Sequence, residues 1–583
     1  MYLFPNEVPS EEFAQMTTDR ARKQTGGTNR PRMTQPHGMR TKDYIYGVEK
    51  VDGNDAWALF QACDIGDISL VKKLLKKDPR LVNAQFWYQF PIHMAVREGH
   101  AEIVELLLQQ GADPGQSRMT YNSWDKLLLR ARERGHERIE ALLSRAMTRR
   151  FRYTPRFEIL KEAIIARSAR RINAVLRDHP ELVRGSDALG NSAIHWSVLT
   201  RQLGLIKQFA DLGTPIDAMR ADGSTPVLLA VCGSDYWYRA TRGKSHPSLR
   251  NAWVMVGSLL ALGARYTISV AAAVGDLERV SQLLRKEPEL ARQLDSTRIS
   301  PLAYAAREGH AHIVQQLLDH GADPNTPQDS APDGLALYEA CCRNRLEIAE
   351  LLLKHGANPN AGVDSSECCL TIGTIYHGEQ AKPLQELLLR HGAFVPPYRM
   401  DVPQLKQAIR DGHPVVRHEE FLSNVMGHAD GELLDLYLDS DSTVVERMQQ
   451  EGSEVYPRSA SLVQKLLARG LDPNHADWSG NTMLHACAAN GDRDVAAVLL
   501  DAGADINARE AEFRATPLAI AVSSCHPGPD KQDDSGRQMI EFLLERGAAT
   551  NLPDDEPWAT PLARARERGL VEIQQLLKQH GAR

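Results

Sequence analysis

Twenty histidines and eight cysteines are the residues of this 583-residue chain that could hold a metal or act as nucleophiles. Metal binding would need a short fixed spacing such as HExxH or CxxC, because two ligands must reach one ion from the same helix face or turn. No such spacing occurs. The histidines recur instead at matching places: His93, His195 and His485 early in apolar runs, His100, His136 and His310 just after a glycine, and His320, His355, His391 and His580 just before another. Regular recurrence assigns them to turns and helix ends, where the last group also faces the negative end of a helix dipole. Cys487 falls in register with Ala95 and Ala305, and Cys341 with Ala306, so each is expected to fill a small apolar position as a reduced thiol. The adjacent pairs Cys341-Cys342 and Cys368-Cys369 suit neither self-closure nor a metal site. No phosphate loop, GxSxG elbow or kinase signature is present. A cryptic enzyme would have to lie in residues 394–457, where Asp411, His413, His418, Glu419 and Glu420 crowd together. Such a cluster reads more simply as solvated loop charge. The expectation is therefore no catalysis, no metal and no cofactor.

A repeat positions these residues. PIHMAVREGHAEIVELLLQQGADP from Pro91, PLAYAAREGHAHIVQQLLDHGADP from Pro301, MLHACAANGDRDVAAVLLDAGADI from Met483 and PLARARERGLVEIQQLLKQHGAR from Pro561 share one spacing of glycines and apolar residues. Thr225-Pro226, Thr516-Pro517 and Thr560-Pro561 place a Thr N-cap before a Pro at the first helical position, where its missing N–H costs nothing. A glycine ends this short helix, a second apolar run such as Ile103, Leu106 and Leu107 makes a longer one, and Gly-Ala-Asp stops it. One such pair is too small to bury its own apolar face, so neighbours must stack. With the Pro91-Ile92-His93, Ala193-Ile194-His195 and Thr482-Met483-Leu484-His485 starts, the Gly-His centres and the Gly-Ala-Asp closures, the sequence resembles the ankyrin repeat family.

That resemblance, running from about Asn54 to Arg583, implies an all-α helical solenoid of about fifteen helix-turn-helix repeats with short hairpin fingers. Three units end differently, at Asp78-Pro79-Arg80-Leu81, His179-Pro180-Glu181-Leu182 and Glu287-Pro288-Glu289-Leu290. The expected division is a disordered tail over 1–50, repeats over 51–393 with an insertion at 233–251, degenerate repeats or a bend over 394–457, and repeats again over 458–583. A second insertion is expected from Cys525 to Ser535.

The family resemblance implies protein–protein recognition through the fingers and the concave face. Large apolar residues that burial within a repeat does not require mark the candidate contacts: Phe86, Trp87 and Tyr88, then Trp478, Phe513 and Trp558. Two segments add positive charge to aromatics. One, TRRFRYTPRF from Thr148, reads as a finger carrying Arg149, Arg150, Phe151, Arg152 and Tyr153; the other is the insertion with Tyr236, Trp237, Tyr238 and Arg239. Both suit an acidic protein segment. A single-stranded nucleic acid is the alternative, disfavoured by a net charge of −6 from 69 basic and 75 acidic residues. The absence of an apolar stretch long enough to span a bilayer, or of an apolar leader, sets the expectation of a monomeric cytoplasmic protein without membrane insertion, although non-classical secretion leaves no mark on a sequence.

Overall fold

The computed structural model describes residues 33–583 except 47–48, 88, 116–122, 233–251, 329–330, 364–366, 418, 452–458 and 526–534. Its architecture is an all-α solenoid, and the helices start where local chemistry puts them. Thr225, Thr516 and Thr560 each accept the backbone N–H three residues on, from Leu228, Ala519 and Ala563 at 3.4, 3.3 and 3.1 Å. The helix Ala101–Gln109 ends ahead of Gly111, whose φ of +91° turns the chain where a side chain would be strained. At the three variant endings, Pro79–Asn83, Pro180–Arg184 and Pro288–Ala291 form a 3-10 turn in place of the Gly-Ala-Asp stop. Leu81, Leu182 and Ala291 are buried there, so an apolar anchor replaces the glycine closure.

The chain divides into two compact units. The first, Lys42–Arg132 with His136–Phe394, opens on an antiparallel hairpin in which Tyr44 lies opposite Val51. Helix pairs follow, from Gly53–Ile65 with Ile68–Lys77 to Cys369–His377 with Lys382–Arg390. The second holds Val395–Arg583, Glu133–Gly135 and the described residues up to Thr41. Within it, Val402–Arg410, Glu419–Gly427, Gly431–Ser440 and Val444–Glu451 fill the stretch where the repeat pattern fades. Leu405, Phe421, Val425, Leu434, Tyr437 and Met448 from these helices join one core with Leu462, Leu484, Leu518 and Leu562 of the repeats that follow.

Part of the expected tail is ordered. Met33 and Met39 are buried and Thr34 N donates to Trp478 O at 3.1 Å, while the hairpin is tied down by Tyr44 Oη donating to Gln85 O at 2.7 Å. A few apolar anchors and one backbone bond thus offset the poor composition of residues 33–51, whereas residues 1–32 lie outside the described ones.

Successive repeats are latched by an asparagine that the sequence reading did not single out. Asn325 donates Nδ2 to Gly356 O at 2.8 Å and accepts Asn358 N at Oδ1 at 2.7 Å, gripping both edges of the next repeat's backbone. Asn83 grips Gly111 and Asp113, Asn360 grips Gly392 and Phe394, Asn474 grips Gly503 and Asp505, and Asn551 grips Gly581 and Arg583 in the same way. Each latch satisfies backbone groups that a helix end leaves without a partner, so repeat spacing is fixed by hydrogen bonds as well as by apolar contact.

Candidate binding surface

Seven of the histidines placed by the repeat, His100, His195, His310, His320, His355, His485 and His580, occupy structural positions. In His195, Nδ1 accepts the N–H of Ser192 at 3.2 Å while Nε2 meets Ser224 O of the next repeat at 3.0 Å. His485 repeats this with Thr482 N at 3.1 Å and Ala515 O at 3.1 Å. After the central glycine, Nε2 of His100 meets Asp64 O at 3.0 Å and that of His310 meets Ala273 O at 3.1 Å, each reaching back one repeat. His320, His355 and His580 hold the carbonyl four residues earlier through Nδ1, at 2.8, 2.9 and 3.0 Å. A ring spent on two backbone groups has no lone pair left for a metal, and among the described residues no group of three or more His, Cys, Asp or Glu could hold one. The thiols are also structural: Cys341, Cys369 and Cys487 are buried, and burial pushes the Cys487 thiol up to about 12.

Burial keeps the His485 imidazole neutral and lowers its pKa to about 4 from an ordinary 6.5. The folded state therefore resists protonation that the unfolded chain accepts, and the stability this contributes is complete above pH 6.5 and lost as pH falls towards 4. Glu510, in the same unit, is pushed up to about 6 by burial and acts in the opposite sense. A comparison with His485→Gln cancels that term. Between pH 7.5 and 5 the wild type is expected to lose about 2 kcal/mol more than the variant, read as the difference in urea midpoints; equal losses would mean that the ring is hydrated in the folded state.

The described candidate contacts fall into three environments. Phe86 and Gln89 exchange two backbone bonds, Phe86 N to Gln89 O at 3.0 Å and Gln89 N to Phe86 O at 2.9 Å, making a tight finger. Phe86 turns inward, edge-on to Trp57 with ring centroids 6.0 Å apart, whereas Trp87 is 53% exposed at a φ of +48°. Tyr88 lies outside the described residues, as do Tyr236, Trp237, Tyr238, Arg239 and the whole of the insertion at 233–251, and all of the second insertion but Cys525 and Ser535.

The segment from Thr148 is not a finger. The helix Glu137–Phe151 runs through its first half and ends on Arg152 at a φ of +63°. Helical phase then decides the outcome: Phe151 is buried edge-on to Trp124 at 6.2 Å and Tyr153 is buried too, while Arg149 and Arg152 stay exposed and Arg150 pairs with Asp113. With both aromatics inside, the base-stacking platform that a single strand needs is missing from this segment.

Trp478, Phe513 and Trp558 are each half-buried. Arg564 joins the last two, its guanidinium carbon 5.6 Å from the Phe513 ring and 6.0 Å from the Trp558 ring. In the 394–457 cluster Asp411 and His413 are exposed and locally engaged, Asp411 accepting both bonds from Gln407 Nε2 at 2.8 and 2.9 Å and His413 Nδ1 accepting Val415 N at 3.2 Å. His418 and the side chains of Glu419 and Glu420, the rest of that cluster, lie outside the described ones.

A family model for ankyrin repeats matches three stretches of the sequence, residues 59–150, 268–362 and 455–554. The chain is an ankyrin repeat protein. Ankyrin repeats mediate protein–protein interaction. Curated proteins similar to this ankyrin repeat protein include the E3 ubiquitin-protein ligase KEG of Arabidopsis thaliana, 34% identical over 96 residues, or 16% of this chain and 5% of that protein. The leucine-rich repeat serine/threonine-protein kinase 1 of Mus musculus is 42% identical over 81 residues, 14% of this chain and 4% of the kinase. Protein PhlB of Serratia liquefaciens is 40% identical over 92 residues, 16% of this chain and 36% of PhlB. The match thus spans at most about a third of these relatives. Among solved structures, the ankyrin repeat domain of human ASB11 is 21% identical with a TM-score of 0.20, covering 49% of this chain and 100% of that one. No helix among the described residues is long and apolar enough to cross a membrane.

Proposed function

We propose that this ankyrin repeat protein is a non-catalytic, monomeric cytoplasmic binding module, and that its partner is a protein whose acidic segment docks on the Trp87 finger and on the exposed arginines Arg149 and Arg152. The observation that carries the reading is the conformation of Trp87. Left-handed backbone costs a bulky residue about 1–3 kcal/mol and is ordinarily left to Gly, Asn or Asp. Here it holds a half-exposed indole at the tip of a two-residue turn. Fold stability alone would select Asn or Gly at this place. A rigid aromatic in the open is what a partner-binding anchor needs, since little entropy remains to be lost on association. Phe86 packs behind the finger against Trp57, Phe151 and Tyr153 anchor the helix end that carries the arginines, and Trp478, Phe513 and Trp558 are secondary contacts of the second unit.

Trp87→Asn separates the two demands. The variant is expected to keep or slightly raise the thermal midpoint, because Asn tolerates positive φ, and to bind the partner at least about 30-fold more weakly. Affinity capture from the native host with both chains, followed by a titration with the recombinant captured protein, reads this directly. Undiminished capture by Trp87→Asn would remove the finger from the interface.

A further inference from the structure

The second unit holds a short piece of chain that its repeats do not need. Residues 33–41, MTQPHGMRT, lie in the same compact unit as Val395–Arg583. They are tied there towards both ends. Thr34 N donates to Trp478 O at 3.1 Å, and Arg40 Nη2 donates at 2.8 Å to Gln450 O, 410 residues along the chain in the last turn of the helix Val444–Glu451. Met33 and Met39, 5% and 0% exposed, are its apolar anchors. Within the segment, Met39 N donates to Pro36 O at 3.1 Å, Gln35 Nε2 to Met39 O at 3.1 Å and Arg40 Nη2 to Gln35 O at 3.0 Å, which hold it in one turn. The Trp478 finger closes without this segment. Asp477 Oδ1 gathers Ser479 N and Asn481 N at 2.8 and 3.0 Å, and Ala511 N links the finger forward through Ser479 O at 2.8 Å. In the first unit the finger from Asp187 to Asn191 is built and linked in the same way, with Ala221 N on Leu189 O at 2.9 Å, and carries Ala188 at the place of Trp478.

We propose that residues 33–41 are the resident occupant of a peptide-binding surface running from Gln450 to the Trp478 finger, and that an extended segment of a protein partner binds there by displacing them. The proposal rests on the reading of the chain as a protein-binding module, and gives the second unit a contact of its own, different in chemistry from the acidic segment assigned to the first. The resident states that chemistry. A backbone N–H on the Trp478 carbonyl selects extended chain without regard to side chains. Side chains then choose: two apolar residues six apart, unbranched as Met33 and Met39 are, with an arginine directly after the second. That arginine meets a carbonyl at the negative end of a helix, where a cation is favoured. Displacement is within reach because Thr34, Arg40 and Gln450 are exposed, so water takes over both bonds at little cost. A polar segment with Pro36 and Gly38, outside the helix pairs, also opens at the low end of local stability.

The test uses the full chain and a fluorescein-labelled MTQPHGMRT peptide read by anisotropy. Met39→Asp puts a charge at a fully buried place and releases the resident segment; the peptide is expected to bind this chain at least tenfold more tightly than the wild type, whose own segment competes at the millimolar local concentration of a short tether. Thr34→Pro, on an exposed residue, removes the N–H given to Trp478 and decides the matter if Met39→Asp misfolds. A peptide lacking Gly38, which shortens the methionine spacing, and one carrying Arg40→Glu are each expected to bind the released chain at least tenfold more weakly. Leucine at both methionine positions is expected to change binding less than threefold. No binding to either released chain up to about 1 mM peptide, equal binding to wild-type and released chains, or indifference to the spacing would overturn the proposal. So would a wild-type chain that sediments as a dimer and becomes a monomer with Met39→Asp, since the segment would then serve a second copy. Partner capture that still depends on Trp87 in the Met39→Asp chain would, beside a failed peptide, show that only this surface is wrong, whereas loss of the Trp87 dependence would undo the wider reading.

Discussion

Replacing Asp187 by alanine is expected to destabilise the first unit by about 4 kcal/mol, the value set by stranding buried donors rather than by losing one contact. Asp187 is 3% exposed, and its two oxygens serve most of the finger that follows it. Oδ1 accepts Leu189 N at 2.9 Å and Asn191 N at 2.8 Å; Oδ2 accepts Asn191 Nδ2 at 3.1 Å and Trp196 Nε1 at 2.8 Å. Asn191 and Trp196 are each 1% exposed, so water cannot replace the lost acceptor without opening the finger. Each orphaned donor costs about 1–3 kcal/mol. Asp187→Asn keeps the shape but turns an NH2 group towards donors, and is expected to recover less than half of the loss. Urea unfolding followed by helix signal gives the difference; a loss below about 1 kcal/mol for the alanine variant would mean that the finger is held by its apolar neighbours alone.

The same carboxylate hub recurs, and its pattern lay in the sequence unread. Asp477 accepts Ser479 N and Asn481 N at 2.8 and 3.0 Å, and Asp295 accepts Thr297 N and Ile299 N at 2.8 and 3.2 Å. The Asp-x-x-Gly-Asn run shared by Asp187 and Asp477 and the asparagine four residues after Gly321, Gly356, Gly470 and Gly547 are as regular as the histidines, but they fall in loops. Helical periodicity does not reach there. What the sequence made legible was what apolar spacing and helix caps control: the helix pairs, the threonine caps and the backbone-bridging histidines. It also showed that cysteines in register with alanines would be buried.

The site was less legible because exposure depends on the phase and length of the preceding helix. TRRFRYTPRF has the composition of a finger, yet the helix that begins at Glu137 continues through Phe151 and carries its aromatics into the core. A recess of the first unit, lined by Asp113, Arg150, Arg220 and Arg298, was invisible for a different reason: these residues belong to three widely separated loops and one helix end, and only stacking brings them together. Arg150, named from the sequence as a surface contact, lines the recess through its pair with Asp113.

Gly223→Ala is expected to cost about 4 kcal/mol in all, for a reason that Gly111→Ala lacks. Both glycines sit in left-handed backbone, at φ of +83° and +91°. The strain of placing alanine there is about 1–2 kcal/mol at either position. A methyl at Gly111 would meet nothing within 4 Å, so that strain is its whole effect. At Gly223 the methyl carbon would lie 1.9 Å from Ser296 O and 2.7 Å from its carbonyl carbon, both backbone atoms of another finger. No rotamer change relieves a clash with main chain, so the two fingers must part. The Ser296 Oγ bond to Gly223 O, 2.7 Å long, is lost with them, which raises the cost by the overpacking and hydrogen-bond penalties together. The two thermal midpoints measured side by side separate conformation from contact. Equal shifts would mean that the fingers bearing Gly223 and Ser296 already move apart in solution, and a shift several times larger for Gly223→Ala is the outcome the geometry requires.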